Sequence, residues 1–261
     1  VMELDGAPAT PEALKALALT NYGHFTTVRV ENHRVRGLAL HLERLERDCR
    51  SVFGTPLDTD RVRAYLRRAV AAQPDPCLVR ITIYDPALDI ADPATGLATP
   101  HVLVTTRPAA ALPLPPLRVK STPYVRDQPA IKHTALFGPL HTRRAARLQG
   151  FDDALFHDPA SGEVTEGPTW NIGFIHTEGQ VLWPTGRLLP GVTMKLLQNH
   201  DQHATAPVPL PSAHEMQAAF ATNTAVGVRE ISAIDGVPLP TGHPTVTALR
   251  TTYESLPGDP V

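Results

Sequence analysis

The sequence predicts an α+β protein of two domains, and three features predict it. Some segments alternate apolar and polar residues, as half-buried strands do. Others repeat apolar residues every three or four positions, as one face of a helix does. Both kinds stand on either side of a proline cluster, Pro108, Pro113, Pro115 and Pro116. With 261 residues and 42% hydrophobic content, each half can bury a core of its own.

The first domain is expected over residues 1–107. Phe25 to Glu31 alternates like a strand, and Asn32-His33 makes a turn. Leu38, Leu42, Leu45 and Cys49 then form a helical stripe with charges on the opposite face. Asp60 to Ala72 reads as a second helix with an aspartate N-cap. Leu78–Tyr84 and His101–Thr106 read as paired strands joined by a loop rich in Pro, Asp and Gly. Residues 108–116 are a stiff extended connector, because proline has no N–H and turns its predecessor away from helix.

The larger second domain, residues 117–261, opens with a strand at Leu117–Ser121. His133 to Leu148 reads as a helix ended by Gly150. Ala154–His157 and Trp170–Ile175 are strands; Val192–His200 and Ala213–Ala219 are helices. A short strand, Ala219–Thr222, leads to a polar turn; Arg229–Ile234 is a further strand, and Tyr253 closes a final helix.

Composition excludes several classes. A net charge of -2 with no basic cluster argues against nucleic acid. No apolar run approaches the roughly 20 residues of a membrane span. Two cysteines, Cys49 and Cys77, make no disulfide framework, so a reducing cytoplasm is the expected setting. The 12 histidines are scattered without ligand spacing, and no metal is expected. The 27 prolines are spread along the chain, which argues for rigid loops.

A few residues carry chemistry. Lys132, between Ile131 and His133, is an amine that apolar neighbours can desolvate, a candidate for a Schiff base. Glu166, in Thr165-Glu166-Gly167, is a carboxylate suited to a pyridine nitrogen, whereas Glu163 sits at a solvated hairpin tip. Gly191-Val192-Thr193 opens a helix and offers free N–H groups, the helix dipole and a hydroxyl to a phosphate. Asn223 and Thr224 in the polar turn offer a second cradle, and Arg44 a charge-assisted pair. Amine, carboxylate and phosphate cradle are the parts that bind pyridoxal 5'-phosphate.

The order of motifs extends the reading. Phe25-Thr26-Thr27-x-Arg29, His41-Leu42-x-Arg44-Leu45, Ile131-Lys132-His133, Val164-Thr165-Glu166-Gly167 with Asn171, Gly191-Val192-Thr193, and Asn223-Thr224 followed by Ile234-Asp235-Gly236 occur in succession. On these motifs, from Gly23 to Gly236, the sequence resembles the class IV (fold-type IV) pyridoxal-phosphate enzymes. That family includes branched-chain and D-amino acid aminotransferases, (R)-amine transaminases and aminodeoxychorismate lyases. The resemblance implies a two-domain, D-amino acid aminotransferase-like fold with its active site between domains and at a homodimer interface. It gives Lys132 the covalent bond to the cofactor and the proton transfer between Cα and C4′. It gives Glu166 the pyridine nitrogen, and Arg44, Val192, Thr193 and Thr224 the phosphate.

Phe25, Arg29, Arg80 and Phe137 are the candidates for substrate contact. Arg29 is one for a carboxylate or a structural salt bridge, Arg80 for a carboxylate or the support of a loop, and Phe137 because it stands where branched-chain enzymes have a tyrosine. The Tyr84–Asp92 segment lacks the basic residues of the D-amino acid enzymes and the lyases, and its Asp85, Asp89 and Asp92 would repel a carboxylate if they face the site. Trp170 and Arg229 replace the family's small residue and proline. The leading expectation is an aminotransferase exchanging an amino group between an amino acid or amine and a keto acid. The alternative is a 4-amino-4-deoxychorismate lyase releasing pyruvate and 4-aminobenzoate. The third is a binding protein that kept the fold and lost the chemistry.

Overall fold

The structure, a computed structural model, describes residues 1–94 and 98–261. The chain folds into two compact bodies that are not continuous stretches. Val1–Ala110, Ile131–Ala135 and Pro257–Val261 form the first, and Ala111–Ala130 with Leu136–Leu256 the second.

In the first body, strands β1 (Met2–Leu4), β2 (Ala7–Pro8), β3 (His24–Val30), β5 (Cys77–Tyr84) and β6 (His101–Pro108) form an antiparallel sheet in the order β2-β1-β6-β5-β3. Between them lie helix α1 (Pro11–Thr20), short strand β4 (Arg34–Arg36), and helices α2 (Leu38–Phe53) and α3 (Thr59–Val70). Register pairs Val28 with Val79 and Ile81 with Val104, so these residues share one face. That face packs against Leu38, Leu42, Leu45 and Cys49 of α2 and Val62 and Leu66 of α3. The expected stripe is thus the core contact of α2. Asn32 and His33 both adopt positive φ, as the turn after β3 requires.

Two details differ from the sequence reading. The cap of α3 is Asp58, whose carboxylate accepts from Arg61 N at 2.9 Å, so the helix starts one residue earlier than expected. Helix α1 is absent from that reading, because none of its residues is buried and its periodic signal is weak. At the start of α2, Gly37 offers no side-chain cap; Asp259 supplies one, accepting from Leu38 N at 3.1 Å. The strand Gly258–Pro260 that carries it pairs antiparallel with β4.

The second body contains β7 (Leu117–Pro123), α4 (Phe137–Leu148), β8 (Asp153–His157), β9 (Asn171–Ile175), β10 (Val181–Pro184), α5 (Val192–His200), β11 (His203–Ala206), α6 (Leu210–Ala213), β12 (Ala218–Asn223), β13 (Gly227–Ile234), β14 (Val237–Pro238) and α7 (Pro244–Ser255). Its sheet runs β11-β10-β9-β12-β13-β7-β8, with β14 alongside β13. One face buries Leu117, Trp170, Ile172, Ala221 and Ile231; the other buries Phe220 and Val228 under α5 and α7.

The helix expected from His133 begins only at Phe137, because residues 131–135 are extended and bonded to the start of β3. The helix expected over Ala213–Ala219 does not form: α6 is a single turn that ends at Ala213. From Ala218 the chain enters β12, paired in register with both β9 and β13. Two ladders of backbone hydrogen bonds outweigh the strong helical preference of its alanines.

Candidate active site

Lys132 lies on a rigid piece of backbone. Its carbonyl accepts from Phe25 N at 2.8 Å, and its own N–H donates to Asp48 Oδ2 at 3.1 Å. Thr134 N donates to Gly23 O at 2.9 Å, so residues 131–135 add to the free edge of β3. The lysine amine is 4.9 Å from the centre of the Phe25 ring.

The same ring carries a second cation. The Arg80 guanidinium carbon is 3.6 Å from its centre, and Arg80 Nε donates to Thr82 Oγ1 at 3.2 Å. Register places Arg80 opposite Thr27, so Phe25, Arg29 and Arg80 stand on the sheet face away from α2. Among the described residues no carboxylate pairs with Arg80, and burial lowers its pKa. Arg29 is engaged, bonding Glu31 Oε1 at 3.5 Å and Ala110 O at 3.4 Å. Asp85 is buried and accepts from Ala87 N at 2.8 Å and Thr99 N at 2.9 Å, shaping its own loop. Asp89 likewise accepts from Ala91 N.

On the helix-covered face, Arg44 is buried rather than part of a solvated charged surface. Its Nη2 donates to Thr26 Oγ1, and its Nε has no hydrogen-bond partner among the described residues. Desolvation lowers its pKa to about 10, partly opposed by Asp48. Asp48 is itself held by Arg47, whose Nε and Nη2 reach Oδ1 at 3.0 and 2.7 Å. His24 and His41 are fully buried and neutral: burial, then the Arg44 charge, bring His24 to about 3 and His41 well below its ordinary value.

In the second body, Glu166 is buried against Arg126, with Nε 2.7 Å from Oε1. Arg126 Nη2 also donates to Pro168 O at 2.7 Å, so one guanidinium grips the carboxylate and the turn that follows it. Trp170 closes that turn: its carbonyl accepts from Gly167 N, and its indole N–H donates to Asp153 Oδ2 at 2.9 Å. A Cβ on Gly167 would lie 2.0 Å from the indole, so only glycine fits. Arg143 completes the arrangement with two 2.9 Å bonds to Asp153.

Asn171 organises the rest. It is the register partner of Glu166 on one side and of Thr222 on the other. Carboxylate, amide and hydroxyl therefore stand in a row across three neighbouring chains of the sheet. The Asn171 amide donates to Leu189 O at 2.7 Å, and a Cβ on Gly191 would strike its Oδ1 at 2.1 Å. Gly191 caps α5, followed by buried Val192 and Thr193. The Thr193 and Thr222 hydroxyls are buried without hydrogen-bond partners among the described residues. Asn223 shapes its turn, accepting from Val226 N at 3.0 Å, with Thr224 half-buried beside it.

Phe137 is 83% exposed at the start of α4, stacked on His141. Trp170 and Arg229, the two residues that depart from the family pattern, line one polar cavity of about 290 Å³ with Arg143, Asp153 and Asn223.

Sequence reasoning singles out Lys132, Arg44, Glu166, Val192, Thr193, Asn223 and Thr224. It gives no role to Arg126, Thr26, Asp48 or Thr222. Helical spacing holds one signal: His41, Arg44 and Asp48 recur at three and four residues, a polar stripe beside the apolar one. In the second body, the N–H groups at the start of α5 and hydroxyls unpartnered among the described residues are donors suited to a phosphate, and Glu166 is suited to a pyridine nitrogen; in the first body, Arg44 is a cation suited to the same kind of anion. Among the described residues no three His, Cys, Asp or Glu side chains form a metal-binding group, and no helix is long and apolar enough to cross a membrane.

A family profile described as amino-transferase class IV matches residues 23–234. No curated protein sequence matches the chain. Among solved structures, a branched-chain aminotransferase of Thermoproteus uzoniensis with norvaline superposes with a TM-score of 0.85 at 20% identity, over 97% of this chain and 93% of that one. A hypothetical aminotransferase of Mycobacterium tuberculosis, in its PLP-bound form, gives 0.79 at 18% identity, over 96% and 94%. A protein provisionally named 4-amino-4-deoxychorismate lyase, from Legionella pneumophila, gives 0.80 at 21% identity, over 91% and 92%. These likenesses establish the two-domain fold-type IV architecture.

Proposed function

The chain belongs to the class IV aminotransferases, and from that premise we propose a pyridoxal 5'-phosphate-dependent aminotransferase acting on an amino acid or amine and a keto acid. The observation that carries the reading is the row Glu166–Asn171–Thr222. A carboxylate suited to the pyridine nitrogen stands at one end, and at the other the Thr222 hydroxyl, unpartnered among the described residues and suited to a phosphate, which supports the reading.

When bound, the cofactor supplies an aldehyde for covalent capture of an amine and a ring that accepts electrons from the substrate Cα. Lys132 is the amine that holds it and carries the proton between Cα and C4′; its fixed backbone confines that motion to the side chain. Glu166 pairs the ring nitrogen and is itself oriented by Arg126. Arg44, the Val192 and Thr193 end of α5, and the Asn223–Thr224 turn hold the phosphate, with Thr222 as an added donor.

For the substrate, Arg80 binds a carboxylate. Its support is a guanidinium without a carboxylate partner, stacked on the ring that Lys132 also approaches. Arg29, tied to Glu31, supports the strand rather than the substrate. Phe137, with Leu140 and Leu148, forms an exposed apolar stripe along α4 suited to a second copy of the chain, so a homodimer is part of the proposal.

The test follows the visible spectrum of the cofactor-loaded protein during anaerobic titration with D- and L-amino acids, (R)-amines and aminodeoxychorismate. Conversion to the pyridoxamine form by an amino donor, reversed by a keto acid, is expected. Pyruvate release from aminodeoxychorismate with no net conversion would overturn the aminotransferase in favour of the lyase.

A further inference from the structure

We infer that His41 and Thr26 form a neutral acceptor pair that orients Arg44 without cancelling its charge, keeping that charge for the cofactor's phosphate. The inference rests on the pyridoxal-phosphate reading above and assigns His41 as a positioning residue.

The hydrogen bonding leaves little freedom. Arg44 Nη2 donates to Thr26 Oγ1, and the same oxygen lies 2.7 Å from His41 Nδ1. Arg44 Nη2 is 3.4 Å from that nitrogen as well. A guanidinium only donates, so Nδ1 facing it carries the lone pair, and the single Thr26 proton goes to Nδ1. His41 is then the tautomer protonated on Nε2. Arg44 thus donates to Thr26 and Thr26 to His41, whose Nε2 has no hydrogen-bond partner among the described residues.

Neutrality is what separates this arrangement from an ordinary buried ion pair. A buried guanidinium is normally satisfied by a carboxylate, which removes both its hydrogen-bonding need and its charge. Here Thr26 and His41 meet the first need alone. Asp48, the carboxylate whose field acts most on Arg44, is bonded instead to Arg47 and to the Lys132 N–H. The depressed proton affinity of His41, caused by burial and the charges of Arg44 and Lys132, agrees with a ring that adds no second cation. Arg44 Nε, buried and without a partner among the described residues, is the donor this leaves for a ligand. A dianionic phosphate suits such a charge.

The experiment titrates PLP, and separately pyridoxal, into the apoprotein and reads tryptophan fluorescence. The wild type is compared with His41→Leu, His41→Asn, His41→Glu and Thr26→Val. His41→Leu removes the acceptor and Thr26→Val breaks the chain. Each should weaken PLP binding about tenfold while leaving pyridoxal binding nearly unchanged. His41→Asn keeps a neutral acceptor and should bind PLP within about threefold of wild type. His41→Glu should lose PLP affinity selectively, because its carboxylate takes the Arg44 charge.

Equal loss of both ligands across the variants, or none, would overturn the inference: His41 would then be structural only. A wild type that binds PLP no better than pyridoxal would overturn the phosphate reading, and this inference with it. Thr26→Val keeps the shape of the side chain, so the test stands if a histidine variant fails to fold.

Discussion

Arg126 and Glu166 form a buried ion pair, Nε to Oε1 at 2.7 Å, in which both side chains are more than nine-tenths removed from solvent. Forty residues apart in sequence, they meet because Arg126 spans the turn after Glu166 and also holds the Pro168 carbonyl. The pair fixes where the carboxylate points before any ligand arrives.

Removing one partner leaves a buried charge uncompensated. Arg126→Met should therefore destabilise the protein by about 3–5 kcal/mol. Combining it with Glu166→Gln should recover much of that loss, because neither side then carries a charge. Urea denaturation at neutral pH measures both; simple additivity of the two substitutions would show that the pair is not coupled.

Gly167 and Trp170 make a steric prediction in the same turn. Gly167→Ala places a methyl within 2.0 Å of the indole carbons, and the indole is tethered to Asp153. Displacing it should cost about 1–3 kcal/mol and change the near-ultraviolet circular dichroism. A variant with a wild-type melt and spectrum would show that the indole can yield.

Acid sensitivity follows from His24. Its folded pKa, near 3, lies below the ordinary 6.5, chiefly through burial. Between those values the unfolded chain takes up a proton that the folded one refuses, so stability is full above about pH 6.5 and falls as pH drops toward 3. His41 acts in the same direction. His24→Leu should flatten part of this decline, since among the described residues neither His24 ring nitrogen has a hydrogen-bond partner to lose. Denaturation midpoints between pH 4 and 8 test it, and an unchanged slope would assign the decline to other groups.

At α2, the missing side-chain cap makes Asp259 answerable. Asp259→Ala should cost about 1 kcal/mol, measured by thermal melting, with Asp259→Asn close to wild type because its oxygen can still accept.

Local patterns make part of this legible. The Leu38, Leu42, Leu45 and Cys49 stripe is visible because helical period and burial coincide, and all four are buried. Gly191-Val192-Thr193 is visible because a helix start writes its own signature. Arg126 is not: in Tyr-Val-Arg-Asp-Gln it reads like a surface arginine, and only the returning Glu166 turn buries it. Arg44 stands among charges that suggest solvent, yet its turn of α2 faces β3. The Ala218–Asn223 strand reads in part as helix, because its alanines favour helix and only non-local ladders turn the segment to strand.

The first body also has a history in time. Its lysine segment arrives about twenty residues after the chain has left it, and its helix cap and the strand beside β4 arrive only with residues 257–261. On a ribosome, this body stays unfinished until every residue of the second has been polymerised. Completion of the lysine-bearing body therefore waits on synthesis of the other, and until then α2 lacks the cap that Asp259 supplies.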